Sequence, residues 1–235
     1  MTLTITELTA LSQYDNGNLT TYSTPTLTAT ANKLYVIIIE VVYSTPRTLT
    51  SVSGGGLGTW NIVAGCSAEN GTAVRRTEVA WAWSASPGAG AAINITFSGG
   101  CTGCAYAPYE ITDFDTSNVV GQTSTVSGSS AVGGTPTLAS ATAGNGILAG
   151  LQHADVETIN VEAGWTAGEF NSGASPNVGM RTASRTDVSD LSCAFTWSVS
   201  GIYIGSILEI NASVAAAPSP PFDAPSRKTQ HLIAR

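Results

Sequence analysis

Thr24-Pro25-Thr26-Leu27, followed by the apolar run Leu34 to Tyr43, returns as Thr135-Pro136-Thr137-Leu138 followed by the run Ile147 to Leu151. Ile95-Thr96-Phe97-Ser98, leading to Tyr109-Glu110-Ile111, returns as Phe195-Thr196-Trp197-Ser198, leading to Leu208-Glu209-Ile210. Between those anchors, Gly58-Thr59-Trp60 is answered by Ala163-Gly164-Trp165. The interval, roughly 100–110 residues, is far longer than solenoid units of about 20–50 residues. It suits a sandwich assembled from two similar groups of strands, in one large β domain. It also places function outside any single catalytic motif.

Composition points the same way. Charged residues make up 11% of the 235, too few for helices whose exposed faces carry Glu and Lys at i,i+4 spacing. Gly, Ser, Thr, Ala and Val dominate, which suits strands joined by small-residue turns. The 43% apolar fraction is enough for a real core. Period two is plain in Thr77-Glu78-Val79-Ala80-Trp81-Ala82-Trp83 and in Ile93-Asn94-Ile95-Thr96-Phe97, as in half-buried antiparallel strands. Phe195, Trp197 and Val199 repeat it. Tyr35 to Ile39 is apolar on both faces, as a strand covered on both sides would be. Breakers at Asp15-Asn16-Gly17-Asn18, Ser53-Gly54-Gly55-Gly56, Ser86-Pro87-Gly88 and Asn171-Ser172-Gly173 separate the runs. Residues 115–134 are expected to hold a connecting strand. Trp81, Trp83, Phe97, Phe195 and Trp197 are expected in the core.

Motifs that carry chemistry are scarce. Gly54-Gly55-Gly56-Leu57-Gly58 lacks the helix and Lys-Ser/Thr of a phosphate loop. Cys101-Thr102-Gly103-Cys104 has no second close pair, so zinc is disfavoured. Buried free thiols are the default, with a disulfide across the turn as the alternative. Glu110, Asp113 and Asp115 gather three carboxylates near one strand end, where calcium or a glycosidase pair is conceivable. A strand would put Asp113 and Asp115 on one face and Glu110 on the other, which weakens the paired reading. Two histidines, His153 and His231, and no Gly-x-Ser-x-Gly elbow argue against a hydrolase. No catalytic residue, cofactor or metal is therefore expected. The first residues, Met1 to Glu7, lack the basic and apolar signature of a secretory signal, and no stretch reaches a membrane span. The product is expected to be soluble and made in a cytoplasm.

The C-terminus is a separate object. Residues 1–212 read as the β-sandwich domain, 213–225 as a Pro/Ala-rich extended linker and 226–235 as a basic tail. Residues 1–214 hold 6 basic and 15 acidic residues, a net of −9; residues 215–235 hold 3 and 1, a net of +2. An acidic body with a basic, apolar-tipped arm suggests a docking peptide. Phe222, Arg227, Lys228, Leu232, Ile233 and Arg235 are the expected contact residues, with Leu232 and Ile233 suited to strand addition.

The series Gly58-Thr59-Trp60-Asn61-Ile62-Val63, Glu78-Val79-Ala80-Trp81-Ala82-Trp83 and Ile93-Asn94-Ile95-Thr96-Phe97-Ser98 resembles β-sandwich proteins of tailed bacteriophages. The likeness spans about residues 1–212 and rests on strand texture and Trp positions. It implies an antiparallel, jelly-roll-like β-sandwich with an extended C-terminal arm, serving as a virion component assembled in the host cytoplasm: capsid decoration, or a head, neck, tail or fibre protein. Implied partners are major capsid or tail proteins and copies of the chain itself, with no nucleic acid and no membrane. Few Lys or Pro residues fall within the strands, so neighbouring subunits are expected to cover the sheet edges. The rival reading is a carbohydrate-binding module that grips host surface glycans through exposed Trp.

Overall fold

A computed structural model describes residues 3–70 and 75–213. In the first half the strands are β1 (Thr4–Glu7), β2 (Gln13–Asp15), β3 (Leu19–Leu27), β4 (Lys33–Val42), β5 (Leu49–Gly54), β6 (Asn61–Ile62), β7 (Ala68–Asn70), β8 (Arg75–Ser84), β9 (Ala91–Cys101) and β10 (Gly103–Thr112). The second half has β11 (Val120–Ser130), β12 (Gly133–Gly134), β13 (Gly146–His153), β14 (Asn160–Val161), β15 (Thr166–Ala174), β16 (Asn177–Arg185), β17 (Phe195–Thr196) and β18 (Gly201–Ile210). The helical residues among those described are two single 3₁₀ turns, Thr9–Leu11 and Ala64–Cys66. The chain is an all-β, antiparallel stack of sheets, as the alternation predicts.

The repeat is visible in the topology. One large sheet runs β1-β10-β4-β8-β6 and the other β11-β18-β13-β16-β15, the same order strand for strand. A three-stranded sheet covers each, β3-β9-β5 in the first half and β12-β17-β14 in the second. The 3₁₀ turns merely interrupt two edges, so β1 and β2 both pair β10, and β6 and β7 both pair β8. Each half is thus an eight-strand sandwich of its own. The sequence echoes fall where they should: Ile95 and Phe97 on β9 answer Phe195 on β17 and Trp197 beside it.

Three apolar layers hold the four sheets together. The first, with Tyr22, Ile37, Ile95 and Phe97, lies between the sheets of the first half. The third, with Ile147, Leu151, Phe195 and Trp197, does the same in the second. The middle layer joins the halves: Leu34, Val36 and Ile38 of β4 and Val79 of β8 meet Leu148 of β13, Met180 of β16 and Leu208 of β18. Strand β4 therefore feeds odd residues to one layer and even residues to the next, and every residue from Leu34 to Val42 is buried. That is the physical meaning of its unbroken apolar run. Of the aromatics expected in the core, Phe97, Phe195 and Trp197 are buried, while Trp81 and Trp83 are partly buried against the margin of the middle layer, with Trp83 edge-on to Phe114 at 5.8 Å.

The halves face each other about an approximate two-fold axis along β4 and β13. Strand β1 lies beside β15, and the turn before β7 lies on β11, the equivalent strands exchanged. Aligning Tyr109-Glu110-Ile111 with Leu208-Glu209-Ile210 equates Val36 with Leu148, Ile38 with Gly150 and Glu40 with Gln152. Ile38 and Gly150 meet at the axis, where a Cβ on Gly150 would sit 2.6 Å from the Ile38 Cγ2. Gly150→Ala should therefore destabilise the fold by about 1–3 kcal/mol through overpacking. Ile38→Ala should cost about 2–5 kcal/mol through its cavity. Urea unfolding of the double variant should show less loss than the sum, since each change relieves the other.

Candidate functional site

The expected docking residues Phe222, Arg227, Lys228, Leu232, Ile233 and Arg235 lie outside the described residues. The residues that lead to them are described as far as Ser213. Ser213 N–H donates to Asp113 O at 2.7 Å, and Ala212 N–H to Asn145 Oδ1 at 2.8 Å. Beside them is an open polar cleft of about 370 Å³ lined by Asp115, Asn118, Thr142, Asn145, Asn211 and Ser213. The last described residue, Ser213, lies there, beside the segment that links the two halves.

The carboxylates read as a potential acid–base or calcium cluster have separate structural work. Glu110 accepts from the Tyr35 hydroxyl at 2.7 Å, and that hydroxyl accepts from Thr30 N–H at 2.8 Å, tying down the loop before β4. Its echo Glu209 accepts from Thr142 N–H and Asn145 Nδ2, each at 2.6 Å, tying down the loop before β13. The repeated glutamate is a loop anchor in both halves. Asp115 accepts from Ser117 N–H at 2.8 Å in its own turn, and Asp113 sits in one at φ +59°. Gly54, Gly55 and Gly56 take φ of +86°, +71° and +69°, a left-handed turn closing β5 onto β9 that L side chains resist.

All four cysteines are free and buried. Burial pushes the Cys66 thiol up to about 12 and Cys101 up to about 11, so neither is a nucleophile at neutral pH. Among the described residues no three His, Cys, Asp or Glu side chains gather to hold a metal. His153 is fully buried, its ring 4.5 Å from that of Trp197, and burial lowers its pKa.

The group that sequence reasoning passed over lies in the middle layer. One end of that layer is apolar, where Leu34, Val36, Leu208 and Ile210 meet. The other end is polar: Glu40 from β4 and Arg75 and Thr77 from β8 face Gln152 of β13 and Ser206 of β18. Thr77 and Ser206 bond across the seam at 3.1 Å, and Arg75 Nη2 donates to Asn177 O at 2.9 Å. Neither oxygen of Glu40 and neither amide atom of Gln152 finds a well-formed partner. Glu78, on the opposite face of β8, is as deeply buried but pairs with Arg76. Desolvation raises the Glu40 carboxyl well above the ordinary value, outweighing the pull of Arg75, while burial draws Arg75 down to about 10. Glu40 is a completely buried carboxyl whose pKa burial raises, set in the seam between the halves. The clue in the sequence was the single carboxylate interrupting Leu34 to Tyr43.

At the opposite margin a smaller cleft of about 190 Å³ lies between β1 and β15. Glu7 accepts from Ser12 Oγ at 2.7 Å and from Glu169 N–H at 2.8 Å, and Tyr109 OH donates to Thr182 Oγ1 at 2.6 Å, clasping the two halves. Burial raises the Glu7 pKa. Its oxygens are committed to that clasp.

No protein-family model matches the chain, and neither a curated protein nor a solved structure does.

The buried acid makes a signed prediction. A carboxyl whose folded-state pKa is raised contributes stability that is full below its unfolded value, about 4.5. That contribution is lost as pH rises toward the folded value. Urea unfolding from about pH 5 to about 9 should show wild-type stability falling relative to Glu40→Gln as pH rises, with the variant at least as stable at neutral pH. A constant difference across that range would contradict a raised Glu40 pKa.

Proposed function

We propose that the protein is a non-enzymatic structural component of a phage particle, joined to its neighbours through the C-terminal arm. The observation that supports this best is how the polar chemistry is used. Glu7, Glu110 and Glu209 anchor loops or clasp the halves, and Glu40 is sealed within the seam. The result is a stiff double block. Strand order supports the jelly-roll reading: within each half the strands run first-eighth-third-sixth-fifth against second-seventh-fourth. That is jelly-roll order with the fifth strand moved to the edge of the larger sheet. The net −9 of residues 1–214 against the net +2 of residues 215–235 supports an arm that seeks an acidic neighbour. A glycan-binding module would want an exposed pair of indoles, whereas Trp81 and Trp83 are half-buried.

The test is mass spectrometry of density-purified particles from a host expressing either the whole chain or a chain ending at Ser213. The truncated body should keep its Tm nearly unchanged, because it retains every described strand and the bonds that Ala212 and Ser213 make to Asn145 and Asp113. It should be lost from the particles. Incorporation of both forms at equal occupancy would refute the docking role, and absence of both would refute the particle assignment.

A further inference from the structure

Four sheets have eight edges, and seven of them are guarded. The edge of β1 and β2 is broken by the Thr9–Leu11 turn and carries Glu7 and Asp15. That of β6 and β7 is broken by the Ala64–Cys66 turn and carries Glu69. Strand β15 has a register break between Ala167 and Phe170 and carries Glu169. Strand β3 contains Pro25 and two breaks, β5 keeps only Ser51 to Gly54 in continuous register, and β12 and β14 are two residues each. Such breaks, charges and short lengths are how natural sheets avoid pairing with other chains.

Strand β11 has a single register break, between Val120 and Thr123, and carries neither charge nor proline. Its 11 residues, Val-Gly-Gln-Thr-Ser-Thr-Val-Ser-Gly-Ser-Ser, include no ionisable side chain and no proline. It holds unbroken register against β18 from Thr123 to Ser130 and ends its sheet. Among the described residues, its backbone makes no backbone hydrogen bond to another strand besides β18, though side chains reach three of its groups: Gln122 N–H donates to Glu209, Gly128 O accepts from Asn70 and Ser130 O from Trp197. Ser127 and Ser129 are exposed.

We propose that β11 is a self-pairing edge: two copies of the chain join β11 to β11, antiparallel about a two-fold axis, into one ten-stranded sheet. A second copy is the occupant because of charge. Two-fold pairing brings each strand against its own copy and doubles every charge at the joint. In a body of net −9, only a carboxylate-free edge meets its copy without repulsion. The sequence also suits self-pairing. About Thr125 the strand sets Thr opposite Thr and Thr123 opposite Ser127, hydroxyl pairs that stabilise adjacent strands. Ten strands lie within the range of ordinary open sheets. This inference does not depend on the particle reading.

Sedimentation equilibrium of the whole 235-residue chain, taken from micromolar to about millimolar, should show a reversible monomer–dimer equilibrium. Ser127→Lys combined with Ser129→Lys changes only exposed side chains. It should leave Tm unchanged and weaken association at least about tenfold. Independently of any variant, amides within Thr123–Ser130 should exchange more slowly in concentrated than in dilute wild-type protein. A chain that stays monomeric at about millimolar concentration overturns the proposal. So does a dimer that survives both lysines, or one that is lost only when residues 214–235 are removed, which would assign the joint to the arm.

Discussion

The contact on which the rest of the structure depends is the close approach of β4 to β13, Ile38 against Gly150. Two similar sandwiches packed about a two-fold axis set equivalent positions opposite one another. At the axis there is room for one large side chain, because sheets in contact interdigitate at near-crystal density. Ile38 fills that room and Gly150 concedes it. From this seam outward the large sheets can meet along their length, and the three-stranded sheets can each close a core of their own.

The same symmetry explains the polar end of the seam. Glu40 and Gln152 are equivalent residues, and both are completely buried. Two carboxyls there would be two desolvated like groups; one carboxyl and one amide is less costly. Even so, burial works against the charged form of Glu40 and raises its pKa. An apolar pair would be expected to hold the halves together at least as well, so the polar cluster reads as a device for register: sliding the sheets would break Thr77–Ser206 and Arg75–Asn177 together.

Much of the fold was legible in the residue order. Tyr35 to Ile39 announced a strand buried on both faces, and the paired Thr-Pro-Thr-Leu, Phe-Ser and Glu-Ile echoes marked equivalent places in two equivalent halves. These signals survive because strand periodicity and turn residues act locally. The glutamates of Tyr-Glu-Ile and Leu-Glu-Ile were legible as a repeat but not as loop anchors. Their partners, Tyr35 and Thr30 in one half and Thr142 and Asn145 in the other, lie 64 or more positions away along the chain and differ in kind. Trp81 and Trp83 shared the period of core residues, yet they fall at the margin of a layer, where alternation continues after burial ends.

The sequence by itself determined an antiparallel all-β chain in two matching parts, poor in helix and in catalytic motifs, with a C-terminal segment of basic, Pro-rich composition. It did so because composition and period two report on each residue's own face and neighbours. Only the tertiary structure decided that there are four layers rather than two, that the matching parts meet through their larger sheets, and that Glu40 sits buried at their seam. It alone also decided that β11 ends its sheet, in continuous register from Thr123 to Ser130 with no charge or proline. Each of those outcomes depends on which surfaces meet across the chain, and a strand's alternation is the same whether its polar face turns to water or to another sheet.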